Sequence, residues 1–227
     1  MTPEFWHARW ERGEIGWHEP EINTHLREFW PRLNLSPGTT ALVPLCGKTL
    51  DLLWLVGEGY RVIGIELSKR ALQEFFDEHG LSPKITELGP FQRWSADELT
   101  LLCGDFFALR RSHLTSVARS AVTAVYDRAA LIAMPPELRP DYIRHLANLL
   151  APAPGARLDG LLVTIEYLQQ EMRGPPFSVP ATQVRELCDG LLTTEELADY
   201  DIIAESPQFQ RRGLSALREQ VWRLAMV

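Results

Sequence analysis

The sequence predicts an α/β fold: a doubly wound, mostly parallel sheet with helices on both faces. Two observations carry this. Four short, continuous apolar runs rich in Val, Ile and Leu occur at 39–45, 61–67, 121–126 and 161–167, the pattern of strands covered on both faces. Amphipathic helical patterns fall between these runs, and strand–helix alternation builds parallel sheets.

The individual elements follow from local chemistry. Residues 48–57 carry Leu52, Leu53, Leu55 and Val56, with Gly57 or Gly59 as a stop. Residues 68–80 open on a Ser cap, place Leu72, Phe75 and Phe76 on one face and end at Gly80. Residues 136–150 are amphipathic through Leu138, Tyr142, Ile143, Leu146 and Leu150. A weaker fifth strand is expected at 99–103. Two late strands, 201–209 and 219–226, are expected to form an antiparallel hairpin at one sheet edge. Three segments stand outside the alternation: the Trp-rich first 35 residues, 80–100 without a clear period, and the Pro-rich 169–189. Loops beyond strand ends are where open α/β sheets hold ligands, so these segments read either as the walls and lid of a site or as irregular packing.

The bulk numbers bound the function. The 227 residues fit one domain spanning 1–227, with 45% hydrophobic and 23% charged residues, ordinary values for a globular protein. A net charge of -7 argues against nucleic acid or an anionic membrane as partner. Cys46, Cys103 and Cys188 are odd in number and widely spaced, so neither a disulfide framework nor a metal is assigned. The polar, aromatic N-terminus lacks the apolar core of a secretory signal. A cytoplasmic monomer is the expectation.

The chemistry-bearing positions cluster at the expected strand ends. Glu66 closes the second strand, 19 residues after Gly47, where doubly wound folds place an acid that accepts from both hydroxyls of a nucleoside ribose; a solvent-facing strand-end carboxylate is the alternative. The turn between the first strand and helix is Pro44-Leu45-Cys46-Gly47-Lys48, without the several glycines that a pyrophosphate needs and without a phosphate-loop pattern. A ligand with adenosine but no pyrophosphate meets both conditions, and S-adenosylmethionine is one. Asp105 follows the weak strand and would accept from the adenine amino group with Phe106 beside the ring, unless it only caps a turn. Asp127 and Arg128 end the fourth strand: either a local ion pair, or a site where Arg128 holds an anionic methyl acceptor. Trp6 and Trp10 share a helical face, and with Trp17 they either staple a helix to the core or wall a sulfonium.

Taken together, residues 6–19, 43–55, 62–68, 126–131 and the Gly-Pro-Pro-Phe-Ser-Val-Pro segment at 174–180 resemble the thiopurine S-methyltransferase family, its bacterial branch most closely. The resemblance implies a class I, Rossmann-like methyltransferase fold of seven strands with the last antiparallel, an N-terminal aromatic cap (1–35) and a lid segment (169–189). It implies S-adenosylmethionine as donor, S-adenosylhomocysteine as product and a thiopurine or other aromatic or heterocyclic thiol as acceptor. Among bacterial relatives it also implies reduced selenium or tellurium species as alternative acceptors, the chemistry of tellurite resistance. A non-catalytic ligand-binding protein is the less favoured reading, because Trp17, Arg128 and the lid segment are all present. By position, Trp6, Trp10, Leu45, Glu66, Asp105, Phe106 and Arg128 match cofactor contacts. Trp17 and Arg128 match acceptor contacts, and Arg128 is the catalytic candidate. Arg211 and Arg212 are alternative candidates for a second substrate arginine. Residues 110–122 are expected to be a surface loop insertion.

Overall fold

The computed structural model describes residues 2–151 and 157–226. The chain divides into two compact units, Met1–Tyr126 and Asp127–Val227.

The first unit opens with α1 (Pro3–Arg12), started by proline at its first position and closed by Gly13 at φ 67. α2 (Thr24–Phe29) is capped by the Asn23 side chain, which accepts from the His25 and Leu26 N–H groups. There follow β1 (Thr40–Pro44), α3 (Asp51–Gly57), β2 (Arg61–Glu66), α4 (Lys69–Glu78), β3 (Lys84–Leu88), β4 (Phe91–Ala96), β5 (Leu99–Cys103), α5 (Arg111–Val117) and β6 (Val122–Arg128). The strand order here is β3-β4-β5-β2-β1-β6. β5, β2, β1 and β6 run parallel, and the β3–β4 hairpin joins β5 antiparallel. β1 is buried along its whole length and β2 from its second residue onward, as their unbroken apolar runs require. Ser68 caps α4 by accepting from the Ala71 N–H at 3.3 Å, and Leu72, Phe75 and Phe76 turn inward.

Two expectations fail here. Residues 80–100 hold the β3–β4 hairpin, whose Leu88 pairs with Phe91 across Gly89-Pro90. β3 is an exposed edge strand, and edges carry polar residues that mask the period of two. Residues 110–122 are not a plain loop: they contain α5, anchored by buried Leu114, with the Arg110 N–H donating to His113 Nδ1 at 3.1 Å.

The second unit begins with the last residues of β6 and continues through α6 (Arg139–Leu150), β7 (Leu158–Glu166), α7 (Ala181–Cys188), β8 (Thr193–Asp201), α8 (Pro207–Arg211) and β9 (Arg218–Met226). β9 lies between β7 and β8 and is antiparallel to both, which gives the antiparallel last strand. Its register is fixed by a buried polar chain: Trp222 Nε1 donates to Thr164 Oγ1 (3.0 Å), Thr164 to Gln220 Oε1 (3.2 Å) and Gln220 Nε2 to Glu166 (2.9 Å). A one-residue slip would strand all of these groups without partners. The strand expected at 201–209 is instead β8, ending at Asp201. Its acid-rich, largely exposed sequence hides it, while 207–211 form α8. The described residues thus hold nine strands rather than seven, the additional pair being the β3–β4 hairpin.

Candidate functional site

The C-terminal ends of β1, β2 and β5 are brought level by their parallel register, with Pro44 opposite Ile65 and Glu66 opposite Cys103. The Cys46 N–H bonds to the Ile65 carbonyl (3.0 Å), and the Gly104 N–H to the Glu66 carbonyl (2.9 Å). At this edge the Glu66 carboxylate, 7% exposed, accepts from the Gly47 N–H at 2.9 Å and the Ser68 N–H at 2.7 Å. Burial pushes its pKa up, against the lowering effect of the backbone donors of Ser68, Gly47 and Leu67. Glu66 is therefore not a solvent-facing acid, and among the described residues it forms no ion pair. A carboxylate has about four acceptor positions, so this one keeps acceptor capacity beyond its backbone bonds.

The turn above Glu66 is strained and glycine-dependent. Leu45 has φ 48 and Gly47 φ 54, a region that disfavours side chains. A Cβ on Gly47 would stand 3.4 Å from Trp10 Cζ2 and 4.0 Å from Trp17 Nε1, so the aromatic cap rests on this backbone. Trp17 meets Trp6 and Trp10 edge-to-face at 5.5 and 6.0 Å, and the Arg9 guanidinium lies over Phe5 and Trp17 at 5.0 and 5.9 Å. Trp10 is buried, whereas Trp6 and Trp17 are half-buried. Arg70 ties α1 to α4 by donating to the Glu11 carbonyl at 3.1 Å. The structure thus brings Trp6, Trp10, Trp17, Gly47 and Glu66 into one neighbourhood, with Leu45 in the same turn. A positive-φ glycine turn, a buried acceptor carboxylate and aromatic rings fit an adenosyl group with a cationic sulfur tail.

Asp105 is exposed and caps the turn Phe106–Ala108, its Oδ1 accepting from the Phe107 N–H at 2.9 Å. The capping alternative is therefore realised, with the second oxygen left over. Phe106 is buried, 5.6 Å from the Phe107 ring. Sequence reasoning missed Asp51: fully buried at the start of α3, it accepts from the Asn23 N–H at 2.8 Å and the Tyr126 hydroxyl at 2.9 Å. An acid in a first helical turn reads as an ordinary dipole partner, and nothing in the sequence marks its burial.

In the second unit, Arg128 ends β6. Asp127 beside it is fully buried and accepts from the Tyr142 hydroxyl at 2.7 Å and the Leu131 N–H at 3.2 Å, with its pKa pushed up by burial to about 6. The Gly174–Pro180 segment is bonded down along its length. The Phe177 N–H donates to the Ile132 carbonyl (2.7 Å), Val179 N–H to Ile165 (2.8 Å), Tyr167 N–H to Ser178 Oγ (3.0 Å) and the Tyr167 hydroxyl to Pro176 (2.7 Å). These partners lie at the C-terminal ends of β6 and β7, so the segment is a fastened strap over that edge. Of the two alternative arginines, Arg212 touches the strap, donating to the Pro175 carbonyl at 3.5 Å, and it stacks on Phe209 at 5.7 Å. Arg211 ends α8 and is exposed.

Comparison with known proteins agrees with this architecture. The model of the thiopurine S-methyltransferase family matches residues 1–226. The chain is 48% identical over 224 residues to a thiopurine S-methyltransferase of Pseudomonas entomophila and 49% identical over 224 residues to one of Pseudomonas aeruginosa, covering 99% of each chain in both cases. Among solved structures, a 1,6-didemethyltoxoflavin N1-methyltransferase from Burkholderia thailandensis with bound S-adenosylhomocysteine is similar at TM-score 0.60 and 12% identity, covering 97% of this chain and 86% of that one. That likeness establishes the fold, and the whole-length match establishes the lineage: the chain belongs to the thiopurine S-methyltransferase family, a family of S-adenosylmethionine-dependent methyltransferases.

Proposed function

We propose that the chain, acting as one methyltransferase domain, transfers a methyl group to the sulfur of thiopurines and other aromatic or heterocyclic thiols. The observation that carries the reading is the buried Glu66 carboxylate. It has no ion-pair partner among the described residues, is held by the Gly47 and Ser68 N–H groups and lies beneath a Gly47 turn roofed by Trp10. Glu66 grips the ribose hydroxyls, and Leu45 and the Gly47 backbone pass close to the donor's tail. Asp105 and Phe106 serve the adenine end, and Trp6 and Trp10 close the cap. S-adenosylmethionine, when bound, supplies a sulfonium-activated methyl group. The protein's task is then alignment, which is worth several orders of magnitude in rate.

Arg128 holds the acceptor's anionic sulfur, and Trp17 packs against its ring. A thiopurine is acidic enough to provide thiolate near neutral pH, so no strong general base is required. Arg212, bonded to the strap, is favoured over Arg211 as the second substrate arginine. The same reading places the enzyme in the cytoplasm as a monomer. The test is transfer of labelled methyl from S-adenosylmethionine to a panel of thiopurines, thiophenols and selenols. Label on the sulfur of 6-mercaptopurine is the expected result. Folded protein that binds S-adenosylhomocysteine but methylates no thiol would overturn the reading, and exclusive turnover of selenols would redirect it to metalloids.

A further inference from the structure

Arg139, the first residue of α6, is 1% exposed. Its Nε donates to the Met134 carbonyl at 3.1 Å and its Nη1 to Gln183 Oε1, but Nη2 has no partner. Among the described residues no carboxylate forms an ion pair with it, and Glu137 acts on it only through space. A buried cation without a directly bonded carboxylate is costly, and burial lowers its pKa against the raising effect of Tyr167 and Glu137. On the strap, the Phe177 ring lies over it, its centroid 5.9 Å from the guanidinium carbon. That ring folds back on Gly174, where a Cβ would meet it at 2.4 Å, and it is only half-buried. A second cation, Arg212, touches the same strap, and both arginines act electrostatically on the Tyr167 hydroxyl.

We propose that Arg139 is a specificity residue for the methyl acceptor: its spare Nη2 donor receives an anionic ring substituent of carboxylate type once the Phe177 side chain rotates aside. The proposal rests on the thiol-methylation reading and adds the charge class of the preferred acceptor. A buried guanidinium with an unused N–H group, beneath a half-buried aromatic ring, is a donor awaiting an acceptor.

The experiment compares 4-mercaptobenzoate with thiophenol, by initial rates of methylation and by calorimetric binding, in the wild type, Arg139→Gln, Arg139→Lys and Phe177→Ala. The wild type should favour 4-mercaptobenzoate in kcat/KM by about tenfold or more, mostly through KM, the size of one charge-assisted hydrogen bond. Arg139→Gln should bring that ratio near one, and Arg139→Lys should keep part of it. A ratio unchanged in folded Arg139→Gln, or near one in the wild type, overturns the proposal. Should Arg139→Gln not fold, Phe177→Ala decides: uncovering the guanidinium should tighten 4-mercaptobenzoate binding severalfold, and unchanged or weaker binding overturns the proposal. If the wild type methylates neither thiol yet binds 4-mercaptobenzoate in an Arg139-dependent manner, the anion site stands and the thiol-methylation reading falls.

Discussion

Glu66 accepts two backbone N–H bonds in near-complete burial, so its replacement is informative in two ways. Glu66→Gln can satisfy only one of the two donors, because its amide nitrogen opposes the other. An unsatisfied buried donor costs about 1–3 kcal/mol. Calorimetry should show S-adenosylhomocysteine affinity falling about tenfold or more in this variant, with a lower melting temperature. Asp127 gives a pH signature. Its carboxyl is raised from the ordinary 3.8 to about 6 by burial, so the fold prefers it protonated. The stability it contributes is present at low pH and is lost as pH rises through about 4 to 6. Urea titrations from pH 4 to 7 should show the wild type losing about 2–3 kcal/mol relative to Asp127→Asn, by proton linkage across about two pKa units. Glu66 and Ser68 were legible because strand ends and helix caps leave local marks in the sequence. Asp51, Tyr142 and Arg139 were not, since their importance comes from partners 28, 15 and 44 residues away.

The cap, the turn and the strap each work as a unit. Gly47→Ala combines strain at φ 54 with a methyl 3.4 Å from Trp10. It should destabilise the protein by about 1–3 kcal/mol and weaken donor binding more than acceptor binding, measured as separate dissociation constants. Tyr167→Phe removes the hydroxyl bond to Pro176 and loosens the strap. It should raise KM for thiols severalfold while leaving S-adenosylhomocysteine affinity intact, and equal losses in both would refute the strap's assignment to the acceptor side. Central strands and the long helices were readable because burial forces their periodicity. The edge strands β3 and β8 were not, because polar and acidic side chains guard edges at the expense of pattern. The same reason explains α5, a short helix with a single buried leucine.

Across the molecule burial raises the pKa of all three thiols. Cys46 and Cys188 are buried and Cys103 is half-buried. Burial, with the Glu66 charge second for Cys103 and the Asp127 charge second for Cys188, pushes these two to about 11 and about 12. Only the thiolate reacts with disulfide reagents, so native protein at pH 8 should titrate slowly, Cys103 first, and release all three equivalents at once on unfolding. Rapid modification of Cys46 in the native state would contradict the packing of its sulfur against Gly64. Lys48 completes the electrostatic picture. Its ammonium is clasped by Glu74 at 2.9 Å and Glu78 at 2.5 Å, which ties the β1–α3 turn to α4. The basic group closest in sequence to the Gly47 turn therefore brings no free positive field to it. An arriving sulfonium meets little repulsion from that lysine, whereas a triphosphate finds no free countercharge on it, and so the clasp that joins the β1–α3 turn to α4 also sorts nucleotides by sign.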